Sequence, residues 1–249
     1  MDADLLRRSR RGGVGKAVTK HGQPSVPAKP QGATTRPNLL AGEDLLPKPC
    51  QKRSLAKRER LKTAALALFG EKGYEGTSVH EIVRRANLAM GSFYQHYRSK
   101  RQLLLALMDE LLEHLSRLEL RPKSGGDIRA GLRELLSRAF ATDLRYLGAY
   151  RAWQEAALSD PELAQKQREI QAWTTARVTA VFKLLQQLPG ARPGVDVAAL
   201  ARVMDSFFWN LLAQALRLSK TELNQWIDAA THLIYHALFT DTPENGKSF

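Results

Sequence analysis

The sequence predicts an all-α chain of about nine or ten helices, and three observations predict it. Apolar residues recur three and four positions apart in every long patterned stretch. No stretch of useful length alternates apolar and polar residues as a strand would. Capping residues, glycines and prolines fall between the periodic stretches, where helices start and stop.

Residues 1–50 hold 6 of the 11 prolines, few apolar residues and no period, so a disordered arm is expected there. Arg7, Arg8, Arg10, Arg11, Lys16 and Lys20 make it basic. Such an arm would add phosphate contacts or lie in a minor groove; equally, it is a plain extension. Leu39-Leu40 and Leu45-Leu46 read as transient helix or nothing. The first helix is expected from about Ser54 to Glu71, with Leu61, Ala65, Leu68 and Phe69 as its buried stripe. Lys52, Arg53, Lys57, Arg58 and Arg60 crowd its start, the wrong end for cations beside a helix dipole. An external polyanion would relieve that. Gly70, Gly73 and Gly76 mark the exit loop.

Ser78 and Glu81 have capping-box spacing, so a second helix starts there, with Val79, Ile82, Val83 and Ala86 on its buried face. Asn87 tolerates a left-handed backbone and turns the chain. A short third helix is expected over Met90–Tyr97, with only Phe93 and Tyr97 buried. Ser99 and Gln102 begin a fourth, which Leu103, Leu104, Leu107, Leu111, Leu115 and Leu118 carry onward. Arg121 to Gly126 breaks the chain. Helical patterns follow at about 127–141, 143–158, 160–188, 194–218 and 221–239. Pro161 reads as a first-turn proline behind an Asp160 cap. Val197–Leu218 is apolar nearly all round, so a second subunit is expected to cover part of it. The expected divisions are an arm at 1–50, a first domain at 51–100, a second at 101–240 and a flexible tail at 241–249.

Charge separates those parts. Residues 1–100 carry 20 Lys+Arg against 8 Asp+Glu, whereas residues 101–249 carry 18 against 17. The imbalance favours a polyanionic partner for the N-terminal portion alone. Cys50 is the single cysteine, which excludes an internal disulfide and fits a reducing cytoplasm. No apolar run spans a membrane, and no apolar core follows the N-terminal arginines as in a signal peptide.

The outward face of the third helix would carry Gly91, Ser92, Tyr94, Gln95 and His96. These are groups able to meet phosphates or base edges in a major groove about 12 Å wide. Thr77, Ile82, Val83, Ala86, Asn87, Leu88, Ala89, Gly91, Tyr94, His96, Tyr97, Lys100 and Leu103 resemble the helix-turn-helix pattern of the TetR family of bacterial regulators. Ala64, Phe69, Gly73 and Tyr74 extend that resemblance upstream. It is close over about Ser54–Leu107; beyond that only length and helicity agree. Asn87 stands for the usual turn glycine, Val83 for a common alanine, and Ala89 for the usual serine or threonine that would cap the recognition helix.

The resemblance implies a three-helix DNA-binding domain followed by a helical ligand-binding and dimerisation domain. Double-stranded DNA, a second copy and a small apolar effector are the implied partners. Tyr94, Lys100 and Thr77 are expected at phosphates, with Ser78 beside them. Gly91, Ser92 and Gln95 are expected at bases, with Met90 and His96 at the margins. Tyr146, Tyr150, Trp153, Trp173 and Phe207 are the candidate pocket residues. Phe208, Leu212, Trp226, Leu233 and Ile234 are the candidate dimer face. The expected function is a transcriptional regulator, most often a repressor in this family, binding a palindromic operator as a homodimer. The alternative is a dimeric DNA-binding or architectural protein with no effector; a helical enzyme comes third. Catalytic signals are thin. His232 and His236 lie four apart with Asp228 one turn earlier, a spacing that holds a metal but more often marks a satisfied or interfacial pair. No cofactor, no metal and no catalytic residue is expected.

Overall fold

The computed structural model describes residues 35–47, 50–118 and 127–240. The arm before residue 35, the break at 121–126 and the tail at 241–249 lie outside the described residues. Nine α-helices are described: α1 (Lys52–Lys72), α2 (Val79–Arg85), α3 (Met90–Tyr94), α4 (Lys100–Ser116), α5 (Ile128–Asp143), α6 (Leu147–Ser159), α7 (Pro161–Leu185), α8 (Val197–Ala215) and α9 (Lys220–Leu238). A short 3-10 turn, Leu144–Tyr146, joins α5 to α6. Among the described residues the only strand-like pairing is a bridge between Ala191 and Phe239.

Local chemistry accounts for most of the boundaries. Ser78 and Glu81 form the capping box that starts α2. Ser99 accepts from the Gln102 N–H, while the Gln102 amide oxygen accepts from the Arg98 N–H rather than from Ser99. Asp160 accepts from the Glu162 and Leu163 N–H groups, with Pro161 in the first turn behind it. Asn87 has φ +50°, the left-handed turn between α2 and α3. α3 closes at Tyr94, three residues sooner than its pattern predicts, and Gln95 and His96 follow as a turn.

α6 is the centre of the core. It packs on α1, α4, α7 and α8, and Ala149, Ala152 and Trp153 on it are fully buried. Gly148 makes the α1 crossing possible: a Cβ there would lie 1.9 Å from the Leu66 carbonyl oxygen. In the single chain α8 leaves Arg202, Val203, Ser206, Asn210 and Ala213 exposed, on the helix that a second subunit is expected to cover in part.

The end of the expected arm is built into the fold. Leu39 is fully buried, and its N–H donates to Asp109 on α4 at 3.2 Å. Arg36 pairs with the same carboxylate at 2.7 Å. Farther along, Arg101 binds Glu43 at 2.6 Å, together with Asp160 at 2.8 Å and Glu162 at 2.6 Å. Residues 36–44 therefore run back along α4 as a strap. Sequence missed it because one buried leucine among prolines has no period to detect.

Candidate functional site

α3 is held from behind and open in front. Phe93 is fully buried and Tyr97 nearly so, their rings 5.8 Å apart. Arg58 donates to the Tyr97 hydroxyl at 3.2 Å. Arg60 donates to the Asn87 carbonyl at 2.8 Å and to that of Ala86, which fixes the turn between α2 and α3. Two of the five cations at the start of α1 thus serve the domain itself. On the open side Met90 is 40% and Tyr94 52% exposed. Gly91 and Gln95 are exposed and Ser92 half-buried. Ala89, at the N-cap of α3, supplies no side-chain cap, as its substitution for serine or threonine implies. A Cβ on Gly91 would meet nothing within 4 Å, so the protein's own packing leaves that space free.

Three expected contact residues are turned elsewhere. Thr77 is buried, and its hydroxyl donates to the Gly73 carbonyl at 2.8 Å, closing the exit loop instead of facing outward. Lys100 gives its ammonium to the Tyr74 carbonyl at 2.6 Å and lies 4.0 Å from that ring's centroid. His96 is buried behind the helix, with neither ring nitrogen hydrogen-bonded. Burial first, then the nearby Arg58 and Lys57 charges, push its pKa below the usual histidine value. Ser78 remains exposed, but its hydroxyl is engaged with Glu81.

A cavity of about 160 Å³ lies between α4, α5, α6, α7, α8 and α9. Its walls are almost wholly apolar, among them Leu135, Phe140, Trp173 and Phe182. Of the expected pocket residues, Tyr150 and Trp173 line it. Tyr146 instead donates to Glu110 at 2.9 Å. Trp153 donates to Gln167 at 2.6 Å, and Phe207 stacks on Trp226 at 5.7 Å. Three expected dimer residues face inward: Phe208, Leu212 and Ile234 line the cavity. Helical spacing identifies an apolar face but not which side of a bundle it meets. Leu233 and Val203, 53% and 62% exposed, are the apolar side chains left open on α9 and α8, with Trp226 half-buried near them.

Two charged side chains in the cavity went unpredicted, since a lone Arg or Asp inside an amphipathic helix carries no signal. Asp205 is buried and accepts from the Thr175 hydroxyl at 2.8 Å. Burial pushes its carboxyl up, against hydrogen bonds from Thr175, Thr174 and Trp209. Burial likewise lowers the pKa of Arg177.

α6 touches both halves. Tyr150 lines the cavity. One residue on, Arg151 donates to the Gly70 carbonyl at 2.6 Å. Glu155 accepts the Tyr74 N–H at 2.6 Å and the Glu75 N–H at 3.1 Å, in the loop that leads into α2. The histidine pair on α9 has its rings 4.1 Å apart. Asp228 is paired with Arg133 at 2.5 Å, and no group of three metal-binding side chains occurs among the described residues. No helix among the described residues is long and apolar enough to cross a membrane.

Known proteins agree with this architecture. Residues 61–107 match the family model for bacterial regulatory proteins of the tetR family. The HTH-type transcriptional repressor KstR of Rhodococcus jostii (strain RHA1) is 28% identical over 184 residues, covering 72% of this chain and 80% of KstR. An uncharacterized HTH-type transcriptional regulator of Bacillus subtilis (strain 168), YvdT, is 36% identical over 63 residues, or 25% of this chain and 32% of that protein. The chain spans about a third or less of the length of YvdT and of two further regulators of that organism, YuxN and YerO. Among solved structures, the SmeT–triclosan complex matches with a TM-score of 0.58 at 22% identity, over 75% of this chain and 93% of that one. A putative TetR-family transcriptional regulator from Mesorhizobium loti MAFF303099 matches at 0.53 and 24% identity, over 76% and 100%. At those identities the structural likeness is one of fold.

Proposed function

The chain belongs to the tetR family of bacterial regulatory proteins, and on that premise we propose that it is a ligand-responsive transcriptional repressor. It acts as a homodimer on a palindromic operator, with the two α3 helices entering successive major grooves one helical turn apart. The observation that carries this reading is the pairing of an open, polar α3 face with an apolar cavity in the same chain.

Ser92 and Gln95 meet base edges, Gly91 lets the backbone approach, and Met90 and Tyr94 flank them against sugar and phosphate. Ser78 stands beside a phosphate through its capping turn. Residues 51–100 form the DNA-binding part and residues 101–240 the effector and dimer part. Val203, Trp226 and Leu233 lie on the face that a second copy covers. An effector in the cavity moves α6 through Tyr150. Arg151 and Glu155 pass that shift to the exit loop and so to the spacing of the α3 pair. The effect extends only as far as the effector's affinity differs between the two arrangements.

Sequencing the duplex DNA that the purified protein retains at moderate salt tests this reading. A palindrome with half-sites about 10 base pairs apart is expected; retention without any sequence preference rejects it. The effector-free alternative is disfavoured by the cavity, because a domain that only dimerises has no reason to leave its core unfilled.

A further inference from the structure

We propose that Arg177 makes the cavity selective for an amphipathic monocarboxylate: one apolar ring or short chain in the cavity, one anionic head on the guanidinium. The inference rests on the effector reading above and specifies its chemistry.

Arg177 is half-buried on α7 and lines the cavity. Its described partners are weak for a cation in such a place. Nη2 donates to the Leu115 carbonyl at 3.0 Å and the Leu118 carbonyl at 3.4 Å. The Trp173 ring centroid lies 5.0 Å from the guanidinium carbon. Among the described residues no carboxylate pairs with it, and Nε and Nη1 donate to nothing. A half-buried guanidinium has lost much of its hydration, so a carboxylate reaching it gains a charge-assisted, two-pronged bond. Arg151 and Arg133, by contrast, are exposed on the outer surface and already engaged with protein oxygens.

The other charged wall residue excludes the opposite choice. The Asp205 carboxylate already receives hydroxyl and indole donors from its own helix and from α7. A ligand ammonium would have to displace those donors. The remaining walls, including Leu135, Phe140 and Phe182, accept only an apolar body. At about 160 Å³ the space is near the ~150 Å³ of a dry apolar cavity known to admit benzene. One ring fits, and a tether of a few carbons brings the head to the edge where Arg177 lies. Because the guanidinium holds carbonyls at the end of α4, a ligand carboxylate also competes for the grip of α7 on that helix.

The test uses the full chain and three probes of one skeleton: 3-phenylpropanoate, 3-phenylpropan-1-ol and 3-phenylpropylamine. Calorimetric titration should show the acid binding about tenfold or more tightly than the alcohol, with the amine weakest. Arg177→Gln should erase the acid's advantage over the alcohol; Arg177→Lys should restore part of it. Equal binding of acid and alcohol overturns the proposal while the effector reading survives. The amine binding tightest overturns it in favour of Asp205. No binding by any probe also overturns the proposal, and leaves the effector reading to its own test on operator DNA. If Arg177→Gln does not fold, the head-group series on the unmodified chain still decides.

Discussion

At Gly91 a single atom can separate folding from the proposed recognition of DNA. A methyl there meets open space within the protein, and alanine is the better helix former by about 0.5–1 kcal/mol. Gly91→Ala should therefore raise the melting temperature slightly while weakening operator binding, measured by thermal denaturation and DNA titration on one preparation. A loss of stability instead would show that Gly91 serves the fold. Lys100 should behave in the opposite way. Its ammonium is bonded to the Tyr74 carbonyl, so Lys100→Ala should cost about 1–2 kcal/mol in chemical denaturation and leave the salt dependence of DNA binding unchanged. A salt slope lower by about 1 would return Lys100 to the phosphate contacts. His96 adds a pH dependence. Burial and the neighbouring cations favour its neutral ring in the folded state, so as pH falls the unfolded chain takes up the proton first. Stability is complete above the ordinary histidine value of 6.5 and is lost as pH drops through the lower folded value. His96→Leu should flatten that decline in a series of melting curves between about pH 5 and 7.

At the scale of the element, α6 and the strap decide how the two halves are held. Substitution of Gly148 drives a Cβ into the Leu66 carbonyl. Gly148→Val should cost several kcal/mol, about 3 or more, because neither helix backbone can yield without losing the crossing. Gly131, whose added Cβ meets nothing within 4 Å, is the control: Gly131→Ala should be neutral or mildly stabilising. The strap makes its own prediction. Leu39 is buried as completely as any core leucine, so Leu39→Ala should cost about 2–5 kcal/mol by denaturant unfolding. An effect near zero would mean that residues 36–44 detach from α4 in solution. The long helices and their caps were readable beforehand, since Ser78, Ser99 and Asp160 act on neighbours two or three residues away. The strap was not, because Arg36, Leu39 and Glu43 find their partners some sixty to seventy positions later.

For the whole molecule, the partition of charge and the partition of burial coincide. The basic excess lies in the first hundred residues, and the apolar cavity lies in the remainder. That division supports a molecule that reads a polyanion at one end and a small ligand at the other. It also explains why exposed Val203 and Leu233, on the second part, are the places to look for a second copy. Val203→Glu together with Leu233→Glu should shift sedimentation toward the single chain without unfolding it. An unchanged sedimentation coefficient would place the contact between copies elsewhere.

The sequence by itself determined the helical class, the order of the helices, the caps at Ser78, Ser99 and Asp160, and a two-helix motif with Ser92, Tyr94 and Gln95 on its outward side. Each of those depends on residues within about one or two helical turns, where periodicity and capping act directly. Only the tertiary structure decided which apolar side chains face the cavity and which face out. Phe208, Leu212 and Ile234 line the cavity while Phe207 stacks on Trp226, and Thr77 and Lys100 bond to the exit loop while His96 is buried. An amphipathic pattern records that a side chain is covered. What covers it follows from how α6 crosses α1, α7 and α8, and that geometry is set by contacts between residues far apart in the chain.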